Sequence, residues 1–156
     1  MTSIGNDAFT NCNFTSVTIP DGITSLSTGI FKSCASLTSI TIPDSVTSIG
    51  GYAFAYCSSL TSITLPINPL FTSIGDNVFL FCSSLTSINI PDSVTSIGSF
   101  AFAVCTSLAT VNCLATTAPT LGSYAFYGIS AKEIHVPVGA TGYGATYGGL
   151  TVVADL

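Results

Sequence analysis

The feature that most constrains this 156-residue chain is its periodicity. Phe9, Phe31, Phe54, Phe79, Phe102 and Phe126 recur inside an Ile-Gly-x-x-Ala-Phe-x-x-Cys pattern, at intervals of 22, 23, 25, 23 and 24 residues. Cys12, Cys34, Cys57, Cys82 and Cys105 follow each Phe by three positions, and Ile129 takes that place in the last copy. Between them runs a Leu-x-x-Ile-x-Ile-Pro segment, at residues 14–20, 37–43, 60–66, 85–91, 108–114 and 131–137. A unit this short cannot bury its own apolar face. Neighbouring copies must therefore stack and share one core, which predicts a solenoid of about six repeats of 22–25 residues.

Each unit divides into recognisable parts. The Leu-x-x-Ile-x-Ile stretch alternates apolar and β-favouring residues and stops at Pro, which cannot donate to a ladder, so it reads as a strand. Pro20-Asp21-Gly22, Pro43-Asp44-Ser45 and Pro91-Asp92-Ser93 supply turn chemistry. A second short strand such as Val46-Thr47-Ser48-Ile49 returns, and Gly50 permits a bend. Ala53, Phe54 and Cys57 then have the spacing of a short helical or 3₁₀ turn facing inward. Six turns at about 4.8 Å make a slab roughly 25 to 30 Å long. The 66–71 segment is two residues longer than its counterparts and reads as a surface loop that bulges without breaking the stack. The solenoid is expected over residues 1–137, with 138–156 as a capping segment of the same domain.

Composition narrows the function. The chain is 47% apolar, with a mean hydropathy of +0.69, yet only 6% charged, so its polar surface consists of Ser, Thr and Asn. Lys32 and Lys132 stand against seven acids, for a net charge of -5. Nucleic acid and anionic membrane surfaces are poor partners for such a chain. No stretch approaches the ~20 apolar residues of a spanning helix, and Met1-Thr2-Ser3-Ile4-Gly5 has no signal-peptide character. The cysteines are too far apart for metal-ligand spacing, and parallel Cβ vectors on stacked turns disfavour disulfides. They read as buried free thiols acting as small hydrophobes. No metal and no cofactor is expected.

His135 is the one plausible proton shuttle, but no partner carboxylate or nucleophile accompanies it beyond Lys132 and Glu133, so it reads as a solvated rim residue and the chain as no enzyme. Two features carry the binding candidates. Thr18, Thr41, Thr64, Asn89 and Asn112, with His135 in the last copy, should form a polar ladder on the first sheet, either a ligand-facing surface or β-favouring filler. Aromatic residues collect in the turns: Tyr52, Phe100 and Tyr124 before the inward Phe, and Tyr56, Phe81 and Tyr127 after it. Most of these should pack on the edge, while Tyr52, Tyr56 and Phe81 are the expected contacts. Tyr143, Tyr147, Val152 and Val153 suit a closing cap. The first copy starts inside a repeat, so Ile4 and Phe9 are expected at an open end that a partner, a second copy or upstream residues would cover.

The run Leu-Thr-Ser-Ile-Thr-Ile-Pro-Asp-Ser-Val-Thr-Ser-Ile-Gly-x-x-Ala-Phe-x-x-Cys, nearly intact over residues 37–57 and 85–105, resembles the BspA-type leucine-rich repeat. That resemblance implies a right-handed solenoid of parallel strands and a surface protein that adheres to proteins or cells, and it brings no catalytic residues. The segments Cys113-Leu114-Ala115-Thr116-Thr117-Ala118-Pro119 and Ile134-His135-Val136-Pro137-Val138-Gly139 resemble the closing repeats of bacterial members and of phage-encoded repeat proteins. The leading expectation is a recognition or adhesion module for protein or glycan, outside the cell or on a virion. One alternative is a particle or fibre subunit docking through its N-terminal end. Another is an ice-binding array built on Thr24, Thr47, Thr72 and Thr95.

Overall fold

The computed structural model describes residues 4–156. Met1, Thr2 and Ser3, at the start of the expected 1–137 unit, lie outside the described residues. Among the described residues twelve short strands follow one another: β1 (Ser25–Leu26), β2 (Ser39–Thr41), β3 (Ser48–Ile49), β4 (Ser62–Thr64), β5 (Ser73–Ile74), β6 (Ser87–Ile90), β7 (Ser96–Ile97), β8 (Thr110–Cys113), β9 (Thr120–Leu121), β10 (Glu133–Val136), β11 (Thr146–Tyr147) and β12 (Leu150–Ala154). Alternate strands stack in two columns, one holding β2, β4, β6, β8, β10 and β12, the other β1, β3, β5, β7 and β9, so the chain makes a parallel β-solenoid of about five turns. The first copy's 14–20 segment forms no strand, although Thr15 O accepts the Thr38 amide at 3.0 Å.

Pairing within each column is parallel and matches equivalent repeat positions, as in Thr41 with Thr64, Asn89 with Asn112 and Ile74 with Ile97. The period-2 pattern decides which way each residue faces. In β6, Ile88 and Ile90 are buried while Ser87 and Asn89 are exposed. The inward residues form a single continuous apolar core. Its axis is a column of phenylalanines, with Phe9, Phe31, Phe54, Phe79, Phe102 and Phe126 stacked nearly parallel at 5.1 to 5.6 Å between centroids. Glycine allows the turns to approach this closely. A Cβ added to Gly122 would lie 2.2 Å from Ser99 N, and one at Gly50 would lie 2.5 Å from Thr28 N.

Two expectations are corrected. First, the Ala-Phe-x-x-Cys segment is not helical: among the described residues there is no α- or 3₁₀-helix. Successive amides alternate in direction. In the third copy Ala53, Ala55 and Cys57 bond three residues back, to Gly50 O, Tyr52 O and Phe54 O, while Tyr52, Phe54 and Tyr56 donate to Asp76 O, Val78 O and Leu80 O of the next turn. Such alternation requires two residues per copy at positive φ, which a right-handed helix excludes. They are Asp7 and Asn11, Gly29 and Ser33, Tyr52 and Tyr56, Asn77 and Phe81, Phe100 and Val104, Tyr124 and Gly128.

Second, the 66–71 loop does interrupt the stack in one respect. Both columns break there: β2 and β4 pair apart from β6, β8, β10 and β12, and β1 and β3 apart from β5, β7 and β9. The core and the turn edge continue across the break, through Phe54 stacked on Phe79 at 5.6 Å and the Phe54 amide on Val78 O at 2.9 Å. The longer repeat thus costs strand pairing and leaves side-chain packing intact.

At the far end, β11 and β12 form an antiparallel hairpin around Gly148 and Gly149, both at positive φ, and β12 lies parallel on β10. Tyr143 and Tyr147 are buried beneath it and donate to Ala115 O at 2.8 Å and Pro119 O at 2.6 Å. Val152 and Val153 are half-buried. At the other end Ile4 and Phe9 are half-buried against the core, and Phe9 stacks on Phe31.

Candidate functional site

The polar ladder follows from strand alternation. With Ile40 and Ile42 turned inward, Thr41 must face out, and stacking repeats this at each turn. Thr41, Thr64 and Asn89 are exposed, whereas Asn112 and His135 are half-buried. Thr18 is exposed but lies outside any strand. The Asn112 side-chain amide donates to Asn89 Oδ1 at 2.9 Å, so the asparagines are held in line. Other hydroxyls are committed to the backbone: within the Thr24, Thr47, Thr72 and Thr95 array, Thr47 and Thr95 donate to Thr24 O and Thr72 O at 3.2 Å.

His135 has a partner that the local sequence did not reveal. Its Nδ1 lies 3.0 Å from both carboxylate oxygens of Asp155, brought over by β12. The pair orients the imidazole and ties the closing strand to β10. Asp155 was recognisable in the sequence only as an acid near the end of the chain.

The 66–71 loop contributes most to surface shape. Asp44 anchors it, accepting the Ile67 amide on Oδ1 at 2.8 Å while its carbonyl accepts the Asn68 side-chain amide at 2.8 Å. Asn68 Oδ1 takes the Leu70 amide, and Phe71 is plugged into the core. So held, the loop presents Ile67 at 73% exposure and Leu70 at 68%. Beside it lie two adjoining hollows of about 200 and 260 Å³ that share Thr64, Leu65 and Ile67. One is completed by Ile63, Asn89, Pro91 and Leu114, the other by Thr41, Ile42, Pro43 and Asp44. Together they form a shallow groove with an apolar floor and a rim of hydroxyls and an amide.

The structure therefore gathers Thr41, Thr64 and Asn89 into one site and leaves Thr18, Asn112 and His135 out of its lining. Tyr52, Tyr56 and Phe81 sit on the turn edge, away from the groove, and Ile4 and Phe9 belong to the first turn. Ile67, Leu70 and Leu114 were the residues that the sequence reading passed over. The available signal was the 25-residue interval, together with Ile67 standing where Asp44 and Asp92 follow Pro in other copies.

The thiols are buried and free, apart from half-buried Cys12, and they do more than fill space. Cys34, Cys57, Cys82 and Cys105 donate to the Phe carbonyls of the preceding turn, Phe9 O, Phe31 O, Phe54 O and Phe79 O, at 3.0 to 3.2 Å. Burial pushes the Cys57 thiol up to about 12 and raises Cys34 and Cys82 as well, which suits donors and not nucleophiles. Among the described residues no group of three metal-ligating side chains comes together, and no helix is long and apolar enough to cross a membrane.

Comparison with known proteins bears on both fold and family. A profile described as BspA type leucine rich repeat region matches residues 1–82 and 72–145, in six copies. A leucine rich repeat protein of T. pallidum is 29% identical with a TM-score of 0.72, over 90% of this chain and 69% of that one. A leucine rich cell surface protein of Faecalibacterium prausnitzii is also 29% identical, with a TM-score of 0.61, over 91% of this chain. This chain spans 32% of the length of the Faecalibacterium protein. No curated protein matches the sequence.

Proposed function

Because this chain belongs to the BspA-type leucine-rich repeat family, we propose that it is a non-catalytic recognition module on a cell or virion surface, holding a protein partner in the groove beside the 66–71 loop. The observation that carries this reading is the loop clamped by Asp44, which keeps Ile67 at 73% exposure over a groove rimmed by Thr41, Thr64 and Asn89. An apolar side chain fixed in solvent gains nothing for the fold, whereas at an interface it becomes an anchor with little further ordering cost. Polar ladder groups alongside it offer hydrogen bonds to an extended backbone. A surface location is supported by the neutral Ser, Thr and Asn exterior and by the solved Faecalibacterium neighbour, itself described as a cell surface protein.

The test is selection of displayed random dodecapeptides on the immobilised protein, followed by affinity measurement on Ile67→Asp. Burying a side chain of this size is worth about 1.5–3 kcal/mol, so selected peptides should bind the variant at least tenfold more weakly. Peptides that bind wild type and Ile67→Asp alike, or a glycan array that is bound through this groove when no peptide is, would overturn the assignment.

A further inference from the structure

A second surface lies on the turn edge, where the backbone imposes positive φ on two residues per copy. Asp, Asn and Gly take that conformation at little cost, and other copies use them there: Asp7, Asn11, Gly29, Asn77 and Gly128. Yet Tyr52, Tyr56, Phe81, Phe100 and Tyr124 occupy the same positions, at φ between 56° and 63°. Bulky side chains are strained in this region.

Burial does not account for them. The five rings are 39% to 63% exposed. Nor does the core require them as a cover, because the second copy, with Gly29 and Ser33 at these positions, still buries Ile30, Phe31 and Cys34 to 1% exposure or less. Instead the rings are organised among themselves. Tyr56 stacks on Phe81 at 5.2 Å and Phe100 on Tyr124 at 5.3 Å. Tyr127, 62% exposed, stands at 86° to Tyr124 with centroids 5.8 Å apart, so the two make perpendicular walls of an open corner.

We propose that this edge is a docking surface for a basic polypeptide segment, whose arginine or lysine side chains lie against the rings, chiefly at the corner of Phe100, Tyr124 and Tyr127. Two observations identify the occupant. Lys32 Nζ already sits over the Tyr52 ring at 5.5 Å, so the edge accepts an ammonium on an aromatic face. The chain as a whole carries -5 with two lysines and no arginine, a field that draws cationic partners. The surface is separate from the groove, and its partner need not be the same.

The experiment replaces Phe100 and Tyr124 by Asn, the residue that Asn77 places at the equivalent position. A fluorescein-labelled Arg-Gly octapeptide is titrated against wild type, Phe100→Asn/Tyr124→Asn and the single variant Tyr127→Ser, with a Glu-Gly octapeptide and cellohexaose as comparison probes. The double variant should melt no lower than wild type and bind the Arg-Gly peptide at least tenfold more weakly, with Tyr127→Ser at least threefold weaker. Equal binding to wild type and both variants would reduce the interaction to net charge and overturn the proposal. Absence of binding to wild type, ring-dependent binding of cellohexaose alone, or unfolding of the double variant would overturn it too. Tyr127 is outside the strained positions, so Tyr127→Ser tests binding whatever the double variant's stability.

Discussion

Truncating Phe79 to Ala probes what holds the turns together where the strand ladders are interrupted. Phe79 is fully buried and stacked between Phe54 at 5.6 Å and Phe102 at 5.1 Å. A buried Phe→Ala change costs about 3–5 kcal/mol, and losing two stacked partners places this one in the upper half, about 4–5. For a chain of this size that lowers Tm by roughly 10–15 °C. Phe54 and Phe79 also flank the step at which both strand columns stop pairing, so the ring stack is a principal link between the two halves. In a solenoid, stability is a sum of nearest-neighbour terms, and weakening one interface uncouples its two sides. Urea titration followed by far-UV circular dichroism is the assay, since the chain has no Trp. Phe79→Ala should unfold in two transitions. Phe102→Ala, whose neighbouring turns remain paired through β7 and β9 and through β6 and β8, should lose similar stability yet keep one. Half-buried Phe9 should cost about half as much on truncation, roughly 2 kcal/mol. A Phe79→Ala loss under about 2 kcal/mol, or a single transition with an unchanged m-value, would refute the argument.

Alkali should destabilise the fold through the thiols. The folded pKa of Cys57 is raised from 9.0 to about 12, so the unfolded chain loses its proton first. The associated stability is complete below pH 9 and is lost as pH rises from 9 to 12, with Cys34 and Cys82 acting in the same direction. Melting temperatures flat across that range would contradict this, as would alkylation of native Cys57 at pH 8 before half-buried Cys12. Gly122→Ala sets a Cβ 2.2 Å from Ser99 N, a backbone atom that cannot swing aside, and should cost about 1–3 kcal/mol in thermal melts. Gly5→Ala, at a glycine that is likewise outside the left-handed region but meets no atom within 4 Å, is the control for losing a glycine without a clash and should leave the melt nearly unchanged.

Much of the fold was legible because its period is short. Six Phe positions, the Cys positions three residues later and the alternating Ile residues are inward for local reasons, and stacking repeats a local decision at every turn. The helical reading of Ala53, Phe54 and Cys57 failed because spacing reports which side chains face inward and not where the amides donate. Half of the amides from Tyr52 to Cys57 bond to the next turn. The binding candidates were half legible. Thr41, Thr64 and Asn89 could be placed on one outward face from alternation alone, but the 66–71 loop looked bland until Asp44, more than 20 residues earlier, was seen to hold it. His135 looked solitary for the same reason, its carboxylate lying just past the end of β12, 20 residues away in sequence.

Alone, the sequence determined that the chain stacks, what each turn contributes to the core, and that its surface is polar with few charges, mostly acidic, because these depend on composition and a repeat of about 23 residues. The tertiary structure decided where the ladders break, which outward residues share a groove, and that five aromatic side chains stand at positive φ on an exposed edge. Each of these is set by what the neighbouring turn places opposite a residue, and an intervening loop of two extra residues is enough to change that partner.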